Sequence, residues 1–134
     1  MVPPARPATA LNPILVVEDE PAVLDFIRTA LKRSGYNTIA ASSGVEALKL
    51  LDGGAYLGVI TDMRTPGGVS GADVHAWLAA HRSDLAPRVI FVTGDSASQD
   101  AASTLQNTGA PFLEKPFRIH QLIALVEKTF GKPA

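Results

Sequence analysis

The amino-acid sequence predicts an α/β fold, a parallel sheet of five strands that is covered by helices on both faces. Five short runs of β-branched or apolar residues alternate along the chain with segments that have the periodicity of amphipathic helices. Parallel neighbours in a sheet need a crossover between them, so this alternation predicts a doubly wound parallel sheet. The length of 134 residues, of which 46% are hydrophobic and 19% charged, suits a single globular domain.

The strands are predicted from runs that are rich in β-branched or apolar residues. In chain order they are Ile14–Val17, Thr38–Ala41, Gly58–Thr61, Val89–Val92 and Pro111–Leu113. Residues 1–12 contain three prolines among small residues and are predicted to form a flexible tail or linker. The folded domain is therefore expected over residues 13–131.

The first helix has a clear start, end and buried face. Pro21 suits its first turn and Gly35 suits its C-terminal stop. The residues that repeat at helical spacing, and that are expected in the core, are Val23, Phe26, Ile27, Ala30 and Leu31. A similar apolar stripe predicts the fifth helix, and its members are Ile119, Leu122, Ile123, Val126 and Phe130.

The three helices between these two have weaker patterns. The second is predicted over Gly44–Asp52, and the third around Val74 and Trp77, with Trp77 in the core. The fourth, Ala97–Thr108, contains a single large apolar residue, Leu105. Small side chains bury little apolar area, so the fourth helix should be held less firmly than its neighbours.

Composition excludes several classes of function. The formal net charge of −1 gives no basic surface, so direct binding of nucleic acid is not expected. The absence of cysteine excludes disulfides and thiolate metal sites and favours a reducing compartment. The apolar runs are far too short to span a bilayer, and the N-terminus lacks the residue order of a secretion signal. A cytoplasmic location without membrane association is expected.

Charged and polar side chains follow four of the five predicted strands. Glu18 and Asp19 follow the first strand, Asp62 the third, Thr93 the fourth and Lys115 the fifth. In open parallel sheets the ligand site lies beyond the carboxyl ends of the strands, where the strand order switches. Three carboxylates are therefore expected to converge there near one ammonium group and one hydroxyl group.

Such a cluster suits the transfer of a phosphoryl group to a carboxylate. Clustered carboxylates repel one another unless a cation joins them, and their oxygen atoms suit Mg²⁺. An arriving phosphoryl group would find the cation and Lys115 to neutralise its oxygens and Thr93 to hydrogen-bond one of them. A carboxylate is a competent nucleophile for forming an acyl phosphate.

Four segments of the sequence resemble the receiver domains of bacterial response regulators in two-component signalling. They are LVVEDE at 15–20, TDMRTP at 61–66, FVTG at 91–94 and FLEKPF at 112–117. The resemblance extends from Ile14 to about Phe130, and the spacings between the segments are close to those of the family. It implies a flavodoxin-like (βα)5 fold whose parallel sheet has the strand order 2-1-3-4-5.

The resemblance implies a role for each matching residue. Asp62 is expected to be the phosphoacceptor, with Thr93 and Lys115 in contact with the phosphoryl group. Thr93 and Phe112 are expected to form the conformational switch, and a plain core phenylalanine is the alternative for Phe112. As a receiver, the domain would catalyse only its own phosphotransfer and dephosphorylation and would not be an enzyme, although a longer parent chain could be a histidine kinase.

By the same resemblance, Mg²⁺ is the expected cofactor. Asp19 would bind it directly and Glu18 through water, together with Asp62 and the backbone carbonyl of Arg64. Glu18 stands where the family more often has aspartate, which keeps the charge but lengthens the arm. The turn at residues 65–71 is one residue longer than the common form and resembles that of receivers attached to hybrid sensor kinases.

The implied phosphoryl donor is a histidine kinase or a histidine phosphotransfer protein. A downstream effector is expected on the face built from the fourth helix, fifth strand and fifth helix, and a weak homodimer is also allowed.

Three alternatives stay open. They are a degenerate receiver that acts as a docking module, a small aspartate-dependent phosphohydrolase, and a flavodoxin-type cofactor binder. Arg64 stands where such a hydrolase needs a second carboxylate, and Glu18-Asp19-Glu20 stands where a flavodoxin needs a phosphate loop.

Overall fold

Strands and helices alternate through the part of the chain that the computed structural model describes, residues 12–133. The strands are β1 (Ile14–Val17), β2 (Thr38–Ala41), β3 (Gly58–Asp62), β4 (Val89–Thr93) and β5 (Phe112–Glu114). The helices are α1 (Pro21–Arg33), α2 (Gly44–Leu51), α3 (Gly71–His81), α4 (Gln99–Thr108) and α5 (Ile119–Phe130). None of these helices is long and apolar enough to cross a membrane. Nearly all of the predicted tail, residues 1–11, lies outside the described residues.

The five strands form one parallel sheet in the order β2-β1-β3-β4-β5, which confirms the predicted fold. In this register Val17 lies beside Thr61, Asp62 beside Val92 and Thr93 beside Glu114. The carboxyl ends of β1, β3, β4 and β5 therefore meet at one edge of the sheet. The residues that follow these strands are held close together by the backbone hydrogen bonds of the sheet.

The sheet divides the buried side chains into two layers, because successive residues of a strand point to opposite faces. Ile14 and Val16 of β1 pack in the layer that contains the buried residues of α1 and α5. Leu15 and Val17 pack in the layer that contains those of α2, α3 and α4. The single domain therefore has two core layers, because helices cover both faces of its sheet.

Two aromatic residues that the sequence placed in the core are less buried than expected. Phe26 of α1 is 38% exposed, and its ring centroid lies 5.9 Å from that of Phe117, which precedes α5 by two residues. Trp77 of α3 is only partly buried. The prediction for Phe26 was wrong because a residue at the margin of an amphipathic stripe can pack sideways instead of against the sheet.

Several element boundaries differ from the prediction by one or two residues. The fourth helix begins at Gln99, because the side chain of Ser98 accepts a hydrogen bond from the N–H of Ala101, at 3.2 Å, and so caps it. β3 and β4 are each one residue longer than predicted. Asp62 and Thr93 are thereby the last residues of strands, with their backbones fixed by the sheet.

Candidate functional site

The polar side chains at the carboxyl edge of the sheet are mostly buried. Glu18 is 2% exposed, Asp62 8% and Thr93 3%, whereas Asp19 is exposed and Lys115 lies at an intermediate depth. Glu18 and Asp19 follow β1, Asp62 and Thr93 end β3 and β4, and Lys115 follows β5, as the sequence predicted. Burial of charged groups is costly unless they are paired, so their mutual contacts decide what this edge can do.

Lys115 is the centre of the ion pairs at this edge. Its Nζ donates to Oε1 of Glu18 at 2.7 Å and to Oδ2 of Asp62 at 2.9 Å. Oε1 of Glu20, an exposed residue, lies 3.7 Å from the same nitrogen. One ammonium group is therefore shared by two buried carboxylates that come from different strands.

Glu18, Asp19 and Asp62 form what we call the acidic cluster. Each offers a carboxylate oxygen, and these oxygen atoms all lie within 4.8 Å of one another. Such a set of oxygen donors fits a hard divalent cation such as Mg²⁺. The backbone N–H of Arg64 donates to Oδ1 of Asp62 at 3.2 Å and helps to fix the orientation of that carboxylate.

The electrostatics of the cluster follow from two carboxylates sharing one ammonium. Burial raises the pKa of Glu18 to about 7 and the nearby Asp62 adds to the rise, while Lys115 opposes it. Burial by itself would lower the pKa of Lys115, but its hydrogen bonds to Glu18 and Asp62 outweigh this and raise that pKa. Lys115 is therefore held in its charged form, and the cluster keeps an unbalanced negative charge that attracts cations.

Thr93 presents a hydroxyl group at the same edge of the sheet. Its Oγ1 accepts a hydrogen bond from the N–H of Asp95 at 3.1 Å. A hydroxyl group has one donor and two acceptor positions, so this bond leaves the O–H of Thr93 available to donate. The next residue, Gly94, has no side chain to cover that hydroxyl group.

The long turn between β3 and α3 is held in place by a residue that the sequence did not single out. Oγ1 of Thr65 accepts a hydrogen bond from the N–H of Gly44 at 3.1 Å and donates to the carbonyl of Val69. Gly67 and Gly68 have φ values of +89° and +81°, which side-chain-bearing residues rarely adopt. A threonine in a glycine-rich turn carries no sequence signal for this role.

The ring of Phe112 lies on the outside of the sheet. It is 42% exposed, at the start of the edge strand β5 and opposite Phe91 of β4. The alternative prediction, a core phenylalanine, is therefore wrong.

Solvent can reach Asp62 from two sides. A cavity of about 490 Å³ lies between Asp62 and the first turns of α4, where Thr93, Asp100, Ala101 and Thr104 also line it. A second cavity of about 440 Å³ lies on the side of β1 and is lined by Asp19, Glu20, Asp62 and Lys115. Arg64 lines both cavities. A phosphoryl donor can thus approach the Asp62 carboxylate through one cavity, while groups in the other cavity contact the same carboxylate.

Comparison with known proteins agrees with the resemblance seen in the sequence. The model of the response regulator receiver domain family matches residues 14–127. The transcriptional regulatory protein TcrA of Mycobacterium tuberculosis is 33% identical over 111 residues, which is 83% of this chain and 43% of TcrA. The chain spans about half the length of the curated relatives it matches.

Solved structures share the same architecture. A CheY-like receiver domain protein from Methanospirillum hungatei has a TM-score of 0.80 at 25% identity, covering 90% of this chain and 94% of the other. The receiver domain of the sensor histidine kinase PA1611 from Pseudomonas aeruginosa also has a TM-score of 0.80 at 25% identity, covering 92% of this chain and 100% of the other. That structure is described with a magnesium ion coordinated in its active site cleft.

Proposed function

This chain belongs to the response regulator receiver domain family, and we propose that its Asp62 accepts a phosphoryl group from a histidine kinase or a histidine phosphotransfer protein. The observation that carries the proposal is the position of Asp62. Its carboxylate lies at the end of a central strand and faces two cavities. Oδ2 of this carboxylate accepts a hydrogen bond from Nζ of Lys115 at 2.9 Å. Asp62 is therefore a nucleophile that is held in place beside the ammonium group of Lys115, which can balance the charge of a phosphoryl group.

The proposed reaction is a displacement at phosphorus. A carboxylate oxygen of Asp62 forms the new P–O bond while the bond from phosphorus to the donor's imidazole nitrogen breaks, and that nitrogen keeps the electron pair. The ammonium group of Lys115 offsets the charge of the phosphoryl oxygens. The hydroxyl group of Thr93 donates to one of those oxygens.

The acidic cluster is the proposed site of Mg²⁺. Glu18, Asp19 and Asp62, with the backbone carbonyl of Arg64, would hold the ion. When bound, it supplies positive charge next to the acceptor carboxylate and the phosphoryl oxygens. The closeness of the three carboxylates and the unbalanced negative charge at this edge support this assignment, as does the magnesium described for the PA1611 receiver.

We propose that the signal leaves through the output face, which comprises α4, β5 and α5. When the hydroxyl group of Thr93 donates a hydrogen bond to a phosphoryl oxygen, the loop between β4 and α4 must change its conformation. Phe112 then turns from its exposed position into the space beside the sheet, and the face changes its affinity for an effector. The weak anchoring of α4 and the exposure of Phe112 support this route.

The experiment that tests the proposed function is the mass of the protein after incubation with Mg²⁺ and acetyl phosphate. We expect a gain of one phosphoryl group that hydroxylamine removes, because hydroxylamine cleaves acyl phosphates. The Asp62→Asn variant should show no gain, since an amide is not a competent nucleophile.

The matched control is Asp100→Asn, which removes an exposed carboxylate that lines the same cavity. This variant should be phosphorylated like the wild type. Full phosphorylation of Asp62→Asn, or none of the wild type, would contradict the proposal.

A further inference from the structure

The turn between β3 and α3 carries one of the groups proposed to hold Mg²⁺, the backbone carbonyl of Arg64. Arg64 is exposed. Its N–H donates to Oδ1 of Asp62 at 3.2 Å, which fixes the backbone on one side of the residue. The carbonyl belongs to the peptide group that joins Arg64 to Thr65, and a peptide group is planar. The position of Thr65 therefore restricts the direction of that carbonyl.

The hydroxyl group of Thr65 ties the turn to two other backbone groups. It accepts a hydrogen bond from the N–H of Gly44 at 3.1 Å and donates to the carbonyl of Val69. Thr65 and Val69 are partly buried, although the residues between them are exposed. One hydroxyl group thus closes the turn on itself and also fastens it to α2.

The turn lies in close contact with the start of α2. Gly44 is buried in the first turn of that helix, and a Cβ atom at this position would lie 2.5 Å from the carbonyl oxygen of Val69. The first N–H groups of a helix have no partner within the helix, and Thr65 supplies one to the N–H of Gly44. A displacement of Thr65 would leave this donor unpaired, which is costly. The turn and the start of α2 are therefore expected to move together.

The cation makes strict demands on a backbone ligand in such a turn. Mg²⁺ requires near-ideal octahedral coordination at about 2.0–2.1 Å. A carbonyl that is already held in place binds such an ion better than one that must be ordered first. A hydroxyl group that fixes the Arg64 carbonyl would thus raise the affinity for the cation without contacting it.

We propose that Thr65 is a positioning residue for the divalent cation, and that its hydroxyl group couples the cation site to the start of α2. The proposal rests on the proposed function, because it takes the Arg64 carbonyl as a ligand of Mg²⁺. Coupling between two sites is reciprocal, so a bond that strengthens cation binding is itself strengthened by the cation. Mg²⁺ should therefore stabilise the bond between Thr65 and the N–H of Gly44.

The first measurement uses the wild type alone and needs no phosphoryl donor. Hydrogen exchange of the Gly44 amide, followed by nuclear magnetic resonance, reports how often its bond to Thr65 opens. Saturating Mg²⁺ should slow this exchange by at least about fivefold, the lower end of typical couplings between sites. The amide of Ala110, which donates to the hydroxyl group of Thr108 at 3.2 Å, is the internal reference and should change much less.

The second measurement is the affinity for Mg²⁺, from a titration followed by the amide chemical shifts. Thr65→Val keeps the shape of the side chain and removes both of its hydrogen bonds. It should weaken Mg²⁺ binding by a similar factor, at least about fivefold. Thr65→Ser keeps the hydroxyl group and should bind Mg²⁺ as the wild type does.

Thr108→Val is the matched control for the loss of the two bonds. The hydroxyl group of Thr108 also accepts one backbone N–H, from Ala110, and donates to one backbone carbonyl, that of Thr104 at 2.8 Å. Thr108 is the last residue of α4 and is not part of the acidic cluster. Its substitution should lower the stability of the protein and leave the affinity for Mg²⁺ unchanged.

The inference is overturned if Mg²⁺ leaves the exchange of the Gly44 amide unchanged in the wild type, a result that needs no variant to fold. It is also overturned if a folded Thr65→Val variant binds Mg²⁺ as tightly as the wild type, or if Thr108→Val loses as much affinity as Thr65→Val. Each of these results can occur while the wild type binds Mg²⁺ and is phosphorylated on Asp62. Failure of the inference is therefore distinguishable from failure of the proposed function.

Discussion

The two helices that begin beside the site, α1 and α4, are anchored to the sheet very differently. α1 follows the acidic residues of β1 and buries Ile27, Ala30 and Leu31. α4 follows the loop after Thr93, and Ala101 is the one buried residue among its ten, all of which the structure describes. We call the side of the site next to α1, where a cation would bind, the fixed side. We call the side next to α4, where Thr93 would respond, the movable side.

The difference has a simple origin in the sequence. α1 has an apolar residue at nearly every inward position, whereas α4 has mostly alanine, serine and threonine there, and its Leu105 is only partly buried. Because hydrophobic stabilisation grows with the apolar area removed from water, a shift of α4 costs less free energy than a shift of α1. A helix of this kind still forms, since Ser98 caps its start and Gly109 ends it in a left-handed conformation.

The largest expected effect is on stability, from equivalent leucine truncations in the two helices. Leu31→Ala in α1 should lower the free energy of unfolding by about 2–5 kcal/mol, because Leu31 is fully buried and leaves a cavity. Leu105→Ala in α4 should cost about 1 kcal/mol, as a partly buried site loses less. Urea denaturation measures both. Equal losses would show that α4 is anchored as firmly as α1.

A second prediction concerns the pH dependence of the fixed side. Because the pKa of Glu18 is raised from 4.5 to about 7, the folded chain holds a proton that the unfolded chain releases. The contribution of Glu18 to stability is therefore fully present below pH 4.5 and is lost as the pH rises to about 7. Without divalent cations, the wild type should lose stability relative to Glu18→Gln over this range.

The measurement is urea denaturation of both proteins in a chelating agent at several pH values. Glu20→Gln is the control, since Glu20 is exposed and its removal should leave the pH dependence of the wild type in place. A constant difference between wild type and Glu18→Gln across the range would show that the buried carboxyl group does not titrate there.

The sequence predicted the order of the elements and the residues that meet at the site, because both depend on local patterns. Strand ends follow from apolar runs, and parallel strands bring their carboxyl ends to one edge. The start of α4 was misplaced by two residues because Ser98, and not the residues before it, caps the helix. The exposure of Phe26 and Phe112 was not predictable, because it depends on how neighbouring elements pack.

The individual side-chain contacts within the site could not be predicted from the sequence either. Glu18 and Lys115 are 97 residues apart, and nothing in either segment indicates that the longer arm of glutamate reaches the lysine. The same holds for Thr65, which ties the β3–α3 turn to the start of α2. Side-chain contacts of this kind depend on the register of the sheet and on distances of a few tenths of an ångström.

We propose that a phosphoryl group on Asp62 changes the movable side of the site and leaves the fixed side in place. Hydrogen exchange with and without beryllofluoride, a phosphoryl mimic, in the presence of Mg²⁺ tests it most directly. Exchange in residues 94–117, which include α4 and β5, should change more than exchange in residues 21–34, which include α1. In Asp62→Asn neither segment should change. Equal changes in the two segments of the wild type, or none in either, would contradict the claim.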